Sequence, residues 1–411
     1  MAPLLAAMRA AAQWQRELVV PNGASPSATA ARLSVSADGL SLIARGQHGW
    51  LADAAELEDG TGTAFTIGVD PARFAAWLGK AAPVADWLDL QTCDSHGKPT
   101  DGSTFSNGCH LAVTNEEGKL FHYPLMDGSA GFWPAESIGD PTIQIPDPDW
   151  SLILSVSQLR ELLKLVLFAA ADPSESAARA VVILQVDGEE LRASGTDGRL
   201  IICARTSLLE PLDGSQALAL PKALAERLLG VVSLVEDDDK IKLDVAVSGS
   251  RCSLRLSFGQ ASCQMVAAFK AVQGPDLSKV LTAVRDRTHL ATVSADSNFR
   301  ARLSLLVERA GQPIVLTANG LGLCATSRVD ADAALDKRFN SIALDCADSG
   351  SGQVAIQPER FLQLLGLLRG SDLELSVADN GYAQILVAES AEAAEIDLMA
   401  ALVGLNVQLT N

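Results

Sequence analysis

One strand-and-helix pattern occurs three times along this chain, and it constrains the fold more than any other feature. Residues 66–79, 217–230 and 354–366 align with one another. Each segment begins with a short run of alternating apolar residues, continues with a proline, and then has apolar residues three and four positions apart, close to a glycine. Alternation is typical of a strand, and proline is favoured in the first turn of a helix. Each segment is therefore predicted to be a strand that leads directly into a helix.

A second pattern also occurs three times, in the same order relative to the first. It consists of alternating apolar and polar residues on both sides of a glycine-containing turn, which predicts a β-hairpin. A helical pattern precedes each hairpin. The hairpins are predicted at residues 31–44, 180–194 and 301–318, with turns at Asp38-Gly39, Asp187-Gly188 and Gly311, and the helices at residues 4–18, 157–171 and 277–293.

Together the two patterns predict an α+β protein made of three repeated units, each with two helices on antiparallel sheets. The third unit is expected to lack a strand before its first helix, because Leu277 leads quickly into a helical pattern. Unrelated α+β domains can share such proline and glycine positions by chance, but two patterns repeated in one order favour a true repeat. The breaker-rich segments at 146–148 and 274–275 predict domains at residues 1–147, 148–275 and 276–411.

Charge is distributed unevenly between the predicted helices and the rest of the chain. The net charge is −18 at pH 7, which disfavours non-specific binding to nucleic acid. The helices are nevertheless net basic, so a surface that they share would attract phosphate groups without reading bases. The alternative is that lysine and arginine occur in these helices only because both favour helices and face solvent there. The predicted phosphate-facing residues are Arg9, Arg16, Arg73, Lys80, Arg160, Lys164, Lys222, Arg227, Arg285, Arg287, Arg360 and Arg369.

The sequence contains no pattern that indicates catalysis. The seven cysteines never form a Cys-x-x-Cys pair, so neither a disulfide framework nor a zinc site is predicted. No nucleotide-binding fingerprint, nucleophile elbow or metalloprotease motif occurs. Residues 237–239 are three aspartates that could bind a divalent cation, although an exposed hairpin turn explains them better. We therefore expect no catalysis, no cofactor and no metal, in a cytoplasmic protein without a membrane span or a signal peptide.

Residues 188–200, 269–281 and 298–303 carry a resemblance to a known family: they resemble segments of the bacterial DNA polymerase III β subunit, the DNA sliding clamp. Residues 188–200 resemble the hairpin of that family's middle domain and its T-D-G-H-R-L loop, with one residue fewer. Residues 269–281 resemble its F-P-D-Y-x-x-V-L linker, and residues 298–303 resemble its K-F-R-G-V-R-L strand. The resemblance implies a processivity factor: a head-to-tail homodimeric ring of six similar units that encircles double-stranded DNA, with the basic helices facing the DNA.

The resemblance also implies a pocket between the second and third domains that captures short apolar motifs of DNA polymerase, clamp loader and repair proteins. An aliphatic cleft with a few polar groups suits a Leu or Phe anchor. The segment 196–198 can equally be a plain turn. By position, the pocket would use Thr196, Gly198, Arg199, Leu200, Pro275, Val280, Leu398 and Met399, and the dimer interface Phe121, Tyr123 and Val293.

Two other hypotheses remain open at this point. The first is a clamp-shaped scaffold that binds partner peptides but does not encircle DNA. The second is an enzyme whose site the sequence does not reveal. A C-terminal segment, residues 403–411, extends past the point where the family's sequence ends, and it could alter which partners reach the pocket.

Overall fold

The computed structural model describes residues 2–15, 31–36, 39–45, 49–55, 64–81, 88–100, 109–115, 117–125, 147–235, 239–258, 263–306, 313–327, 341–368, 371–379, 383–390 and 396–404. The helices within this part of the chain are α1 (Ala2–Gln15), α2 (Pro71–Ala81), α3 (Val156–Ala169), α4 (Lys222–Val232), α5 (Ser278–Ala283), α6 (Ser297–Ser304) and α7 (Pro358–Leu367).

The strands of the first half are β1 (Ala31–Ser36), β2 (Gly39–Arg45), β3 (Gly49–Ala55), β4 (Phe65–Val69), β5 (Leu88–Cys93), β6 (His110–Asn115), β7 (Leu120–Pro124), β8 (Trp150–Ser155), β9 (Val181–Asp187), β10 (Glu190–Thr196) and β11 (Leu200–Ser207). Those of the second half are β12 (Ser215–Pro221), β13 (Lys240–Ser248), β14 (Arg251–Phe258), β15 (Cys263–Lys270), β16 (Arg287–Ser294), β17 (Ile314–Asn319), β18 (Leu323–Ser327), β19 (Ser341–Leu344), β20 (Asp348–Ser349), β21 (Ser351–Ile356), β22 (Asp372–Asp379), β23 (Gln384–Ser390) and β24 (Asp397–Val403).

The chain forms two compact units, and the first comprises residues 1–160 and 226–271. Its eight-stranded sheet has the order β4-β1-β2-β3-β15-β14-β13-β8, and a three-stranded sheet has the order β5-β6-β7. Helices α1 and α2 pack against each other. Phe74 and Leu78, four residues apart on α2, are fully buried. Met8 and Trp14 of α1 are at most 2% exposed. The apolar face of each helix is thus its packed face.

The second unit comprises residues 161–225 and 272–411. Its nine-stranded sheet has the order β12-β9-β10-β11-β24-β23-β22-β16-β20, and a four-stranded sheet has the order β19-β18-β17-β21. Strand β24 lies between β11 and β23 and is antiparallel to both. Glycine at position 195 lets α3 lie close to β10, since a Cβ there would stand 2.3 Å from the Val166 carbonyl oxygen.

The repeat predicted from the sequence is confirmed in its strand–helix part. Strand β4 leads into α2, β12 into α4, and β21 into α7. The first two hairpins are also confirmed, because β1 pairs with β2 and β9 pairs with β10. In the second of these hairpins, Gly188 has a φ of 61°, which the tight Asp-Gly turn requires and which glycine adopts at little cost.

The prediction for the start of the third unit is wrong. The predicted helix at 277–293 is the short helix α5 followed by strand β16, so this unit does have a strand before its first long helix. Strand β16 forms because it pairs with β22 from Arg287 to Ser294, and because its β-branched residues Thr288, Thr292 and Val293 favour a strand. Pairing partners distant in sequence decided this segment, and local periodicity could not reveal them.

Residues 298–303, predicted to be a strand, belong to helix α6. The side chain of Asp296 caps this helix by accepting a hydrogen bond from the Phe299 backbone N–H at 2.7 Å. Phe299 and Leu303, one turn apart, are its buried residues. The third hairpin is consequently β17–β18 with its turn at Gly320 (φ 77°), and not the predicted one at Gly311.

Sheet pairing crosses both predicted domain boundaries. Strand β3 pairs with β15 in the first unit, and β11 pairs with β24 in the second. Such continuous sheets connect segments that the repeat assigns to different domains. The division into 1–147, 148–275 and 276–411 therefore stays a prediction that rests on the repeat.

Candidate functional site

An apolar cluster on one face of the nine-stranded sheet is the main candidate for a binding site. Its buried members come from β11, β22, β23 and β24 and from the turn after α5. Half-buried apolar side chains pack against this base and leave part of their surface in solvent, so they offer apolar area to a ligand. The base is Ile201, Cys203, Val284, Ala378, Ile385, Val387 and Ala401, and the half-buried side chains are Leu277, Val280, Leu281 and Met399.

Strand geometry separates the predicted pocket residues into two groups. Met399 lies opposite Cys203, while Leu398 lies opposite Ala204 and on the other face of the sheet. Val280 and Met399 therefore join the cluster. The buried side chains of Leu200 and Leu398 point to the opposite face, where they can support the sheet and not line the cluster. Pro275 is half-buried and precedes Leu277 by two residues.

The segment from Thr196 to Leu200 is a tight turn between β10 and β11. The Thr196 hydroxyl accepts a hydrogen bond from the Gly198 N–H at 2.9 Å and donates to the Leu200 carbonyl at 2.9 Å. One carboxylate oxygen of Asp197 accepts from the backbone N–H groups of Arg199 and Leu200, both at 2.8 Å. The turn interpretation of this segment is thus correct, and a binding role for it remains a prediction.

Arg360 connects this turn to helix α7. Its Nη2 atom lies 2.8 Å from the Oδ2 atom of Asp197, whose side chain is only 7% exposed. On the other side, the Val403 N–H donates to the Arg199 carbonyl at 2.8 Å. Arg360 was predicted to face DNA, but its guanidinium is engaged by a carboxylate at the turn.

A substitution at Gly198 is expected to destabilise the second unit. Gly198 has a φ of 92°, and a Cβ there would stand 1.8 Å from Nη1 of Arg179. We expect Gly198→Ala to lower the free energy of unfolding by about 1 to 2 kcal/mol through backbone strain, since the atom that a Cβ would meet is the flexible end of the Arg179 side chain. Urea unfolding measures this. Gly188→Ala is the control, because Gly188 also has a positive φ but open space around it. The two variants should lose similar stability, and a much larger loss in Gly198→Ala would show that Arg179 cannot move aside.

Two predicted phosphate-facing residues are instead bound to helix ends. Arg160 donates from Nη2 to the carbonyl oxygens of Val232 (3.0 Å) and Val235 (2.7 Å), at the end of α4. Lys222 donates to the Ala170 carbonyl at 3.0 Å, beyond the end of α3. Both cations satisfy carbonyls that a helix terminus leaves without partners. We therefore assign them to helix capping.

Other predicted cations do not lie on helices. Arg285 lies in the turn after α5, and Arg287 lies in β16, where it forms an ion pair with Glu389.

The other predicted cations that the structure describes do lie on helices. Arg227 is half-buried on α4. The remaining exposed cations on helices are Arg9, Arg73, Lys80 and Lys164, of which Arg73 pairs with Asp70 (3.5 Å) and Lys164 with Glu161 (3.4 Å). Arg16 and Arg369 lie outside the described residues.

The sequence analysis missed the cations of helix α6. Arg302 pairs with Asp345 at 3.2 Å. Arg300 is half-buried, and no hydrogen-bond partner of its Nε atom occurs in the described part of the chain. Its Nη2 atom lies 3.3 Å from where a Cβ on Gly366 of α7 would be, so the glycine makes room for the guanidinium. The Asp296 cap and the apolar spacing at 299, 303 and 306 were the signal for this helix.

Comparison with solved structures finds one fold along the whole chain. A Pseudomonas aeruginosa DnaN sliding clamp, DNA polymerase III subunit beta bound to griselimycin, is 16% identical, with 98% of this chain and 97% of that chain covered at a TM-score of 0.72. The Thermotoga maritima DNA polymerase III beta subunit is 12% identical, with 98% and 97% covered at 0.71. This chain has the sliding-clamp fold. No family model and no curated protein matches the sequence.

A Bacillus subtilis DNA polymerase sliding clamp agrees with this fold at 13% identity, with 98% of this chain and 97% of that chain covered and a TM-score of 0.66. The sequence expectation of an α+β clamp fold is thus confirmed. Identities this low establish the arrangement of the backbone and leave the side chains of each site to be judged on their own contacts.

In this clamp fold, the residues predicted for a dimer interface are placed unequally. Tyr123 packs edge-on against Phe74 and Trp77, with ring centroids 4.7 and 5.3 Å apart, and its burial, together with the Asp70 charge, raises its pKa to about 12. Val293 is also buried. Phe121 is half-buried on β7. Tyr123 and Val293 thus support their own units.

All four described sheets end in strands that could pair with another chain, and the two smaller sheets illustrate this. Among the described strands, β7 pairs with β6 alone, and β19 pairs with β18 alone. Each therefore presents backbone N–H and C=O groups along one side. The terminal strands of the other sheets have such edges too, and an exposed edge, rather than the buried side chains of Tyr123 and Val293, is where a contact between copies can form.

The described residues contain no group of three or more His, Cys, Asp or Glu side chains that could hold a metal ion. Of the three aspartates considered at 237–239, two lie outside the described residues. No helix in this part of the chain is both long and apolar enough to cross a membrane.

Proposed function

We propose that this chain is a DNA sliding clamp: a non-catalytic processivity factor that encircles double-stranded DNA in the cytoplasm and tethers DNA polymerase to it. The single observation that carries the proposal is the clamp fold over 98% of the chain. Structures with this fold are named DNA polymerase III beta subunits and sliding clamps. Three domains per copy, at 1–147, 148–275 and 276–411, form part of the proposal.

The peptide-binding part of the proposal rests on the apolar cluster of the nine-stranded sheet. Val280 and Met399 are half-buried apolar side chains over a buried base, which suits a Leu or Phe anchor of a partner. The turn at 196–200 leads directly into β11 and supplies polar backbone groups and the exposed side chain of Arg199. Clamp loader and repair proteins would use the same site through short apolar motifs.

The DNA-binding part rests on the exposed helix cations and on Arg300. A chain with a net charge of −18 has little general affinity for DNA, so retention must be topological and the cations need only guide the duplex. Contacts of arginine and lysine with phosphate carry no base information. The DNA-facing set that we propose is Arg9, Arg73, Lys80, Lys164 and Arg300.

Ring closure would require two copies, and we propose that β7 of one copy pairs with β19 of the next. Both strands are edges among the described strands. Phe121 on β7 is half-buried and would become fully buried by such pairing. A contact between the same patch on both copies would be satisfied by one interface. The contact between β7 and β19 joins two different patches, so two copies can close a ring through two such interfaces.

The test of the proposed function measures assembly and retention together. We expect two copies by sedimentation at micromolar concentration and closed rings by electron microscopy. Rings cross-linked in the presence of circular plasmid should stay on it in high salt and leave after a single linearising cut. A monomer that still binds an apolar peptide would favour the scaffold hypothesis. Cross-linked rings that leave the uncut circle would contradict the clamp.

A further inference from the structure

Arg360 lies on the first turn of α7, far in sequence from the turn at 196–200, yet it contacts that turn directly. Its Nη2 atom is 2.8 Å from Oδ2 of Asp197. The Asp197 side chain is 7% exposed and that of Arg360 is 35% exposed, so the carboxylate is shielded from water while the guanidinium closes over it. A charge pair in such a place is stronger than one at an open surface.

The carboxylate of Asp197 joins two sets of contacts. Its Oδ1 atom accepts the backbone N–H groups of Arg199 and Leu200, which fixes the turn internally. Its Oδ2 atom receives Arg360, which fixes the turn against α7. Removal of the guanidinium would leave a shielded carboxylate with a free oxygen, and the turn would have to open to hydrate it.

The turn also borders the strand that carries the apolar cluster. The Arg199 carbonyl accepts from the Val403 N–H, and Ile201 of the cluster base follows two residues later. Displacement of the turn would therefore disturb the register of β11 against β24 at the edge of the site. This connection makes the ion pair relevant to binding and not only to folding.

We infer that Arg360 is a positioning residue, which holds the 196–200 turn in the conformation that accepts a partner's apolar motif. This inference rests on the proposed peptide-binding function and adds to it a residue that contacts the turn through Asp197. It also removes Arg360 from the set of DNA-facing cations, because its guanidinium is already engaged. A binding site that is competent only part of the time binds with an affinity reduced by that fraction.

The test uses the full chain and two readouts. The first is hydrogen exchange at the backbone amides of Arg199 and Leu200, which report the turn itself. The second is fluorescence polarisation with a labelled hexapeptide that ends in Leu-Phe, together with competition by griselimycin. The variants are Arg360→Met, which keeps the length of the side chain, and Arg360→Lys, which keeps its charge. Arg251→Met, an exposed arginine on β14, is the matched control.

We expect Arg360→Met to raise exchange at both amides at least tenfold and to weaken peptide binding about tenfold, with an unchanged circular dichroism spectrum. Arg360→Lys should restore binding to within about threefold, and Arg251→Met should change neither readout. Retention on circular DNA should be unaffected by Arg360→Met. Unchanged exchange, or faster exchange with unchanged affinity, would overturn the inference while the proposed function stands. A wild-type chain that binds neither probe would overturn this inference and the peptide-binding part of the proposed function, whatever the exchange shows, while loss of cross-linked rings from uncut circular DNA would overturn the clamp itself.

Discussion

Replacing Met399 by glutamate will weaken binding of the labelled Leu-Phe peptide by about 100-fold, or about 3 kcal/mol. Met399 is half-buried against the base formed by Cys203 and its neighbours. The apolar side chain of the bound peptide would bury the new carboxylate without a hydrogen-bond donor or a cation to pair with it. Such burial costs several kcal/mol in a dry site. Fluorescence polarisation measures the loss directly.

The control for this substitution is Leu321→Glu. Leu321 lies in the turn between β17 and β18 of the same unit, and it is 94% exposed. The Leu321→Glu variant should bind the peptide as the wild type does. Both variants should unfold at nearly the same temperature as the wild type. If Met399→Glu binds normally while it remains folded, the apolar cluster is not the peptide site, whatever the oligomeric state of the protein.

Replacing Asp244 by alanine will lower the free energy of unfolding by about 3 kcal/mol, because it breaks a buried charge network. Asp244 lies in β13, and its side chain is only 1% exposed. Arg255 donates to it from Nε and Nη2 at 2.9 and 2.6 Å, the Ser151 hydroxyl donates at 2.6 Å, and Lys242 lies at 3.2 Å. Removal of the carboxylate leaves these cations without their counter-charge.

The same network predicts how stability depends on pH. Burial by itself raises the pKa of Asp244, but hydrogen bonds from Ser151, Arg255 and Lys242 outweigh it, so the pKa lies below its ordinary value. The folded state thus binds the proton more weakly than the unfolded state does. The contribution of this carboxylate is present in full above about pH 4 and is lost as the pH falls through the folded pKa.

Urea unfolding at pH 7 and at pH 3 tests both statements. The difference between wild type and Asp244→Ala should be largest at pH 7 and should shrink in acid. Asp89→Asn, which removes an exposed carboxylate from β5 of the same unit, should change stability by less than about 0.5 kcal/mol. A difference that does not vary with pH would show that packing, and not charge, is what Asp244 contributes.

The sequence predicted the fold where local patterns and tertiary contacts agree. The strand–helix segments ending in α2, α4 and α7 have apolar residues at the spacing of the faces that they bury, and a proline or a glycine marks their limits. At 277–293 these signals conflict. Leu277, Val280, Leu281 and Val284 have a helical spacing, which is satisfied by the short α5, and the next residues pair with β22. Periodicity alone does not register a change of element within such a segment.

The site was predicted in part for a comparable reason. The resemblance named both Val280 and Met399 as pocket residues, and both pack against the apolar cluster, whereas Leu398 could be separated from Met399 only once the pairing register of β24 was known. The assignment of cations failed most often. Arg160, Lys222 and Arg360 each have a partner distant in sequence, and a count of basic residues per helix does not reveal such partners.

The position of β24 between β11 and β23 has a consequence for how the chain is made. Both neighbours are synthesised before it, so each must wait with one side of its backbone open until residues 397–403 arrive. During that interval the nascent protein exposes two apolar strand edges that could template aggregation. We expect chaperones to bind this protein most strongly while residues 397–403 are being translated.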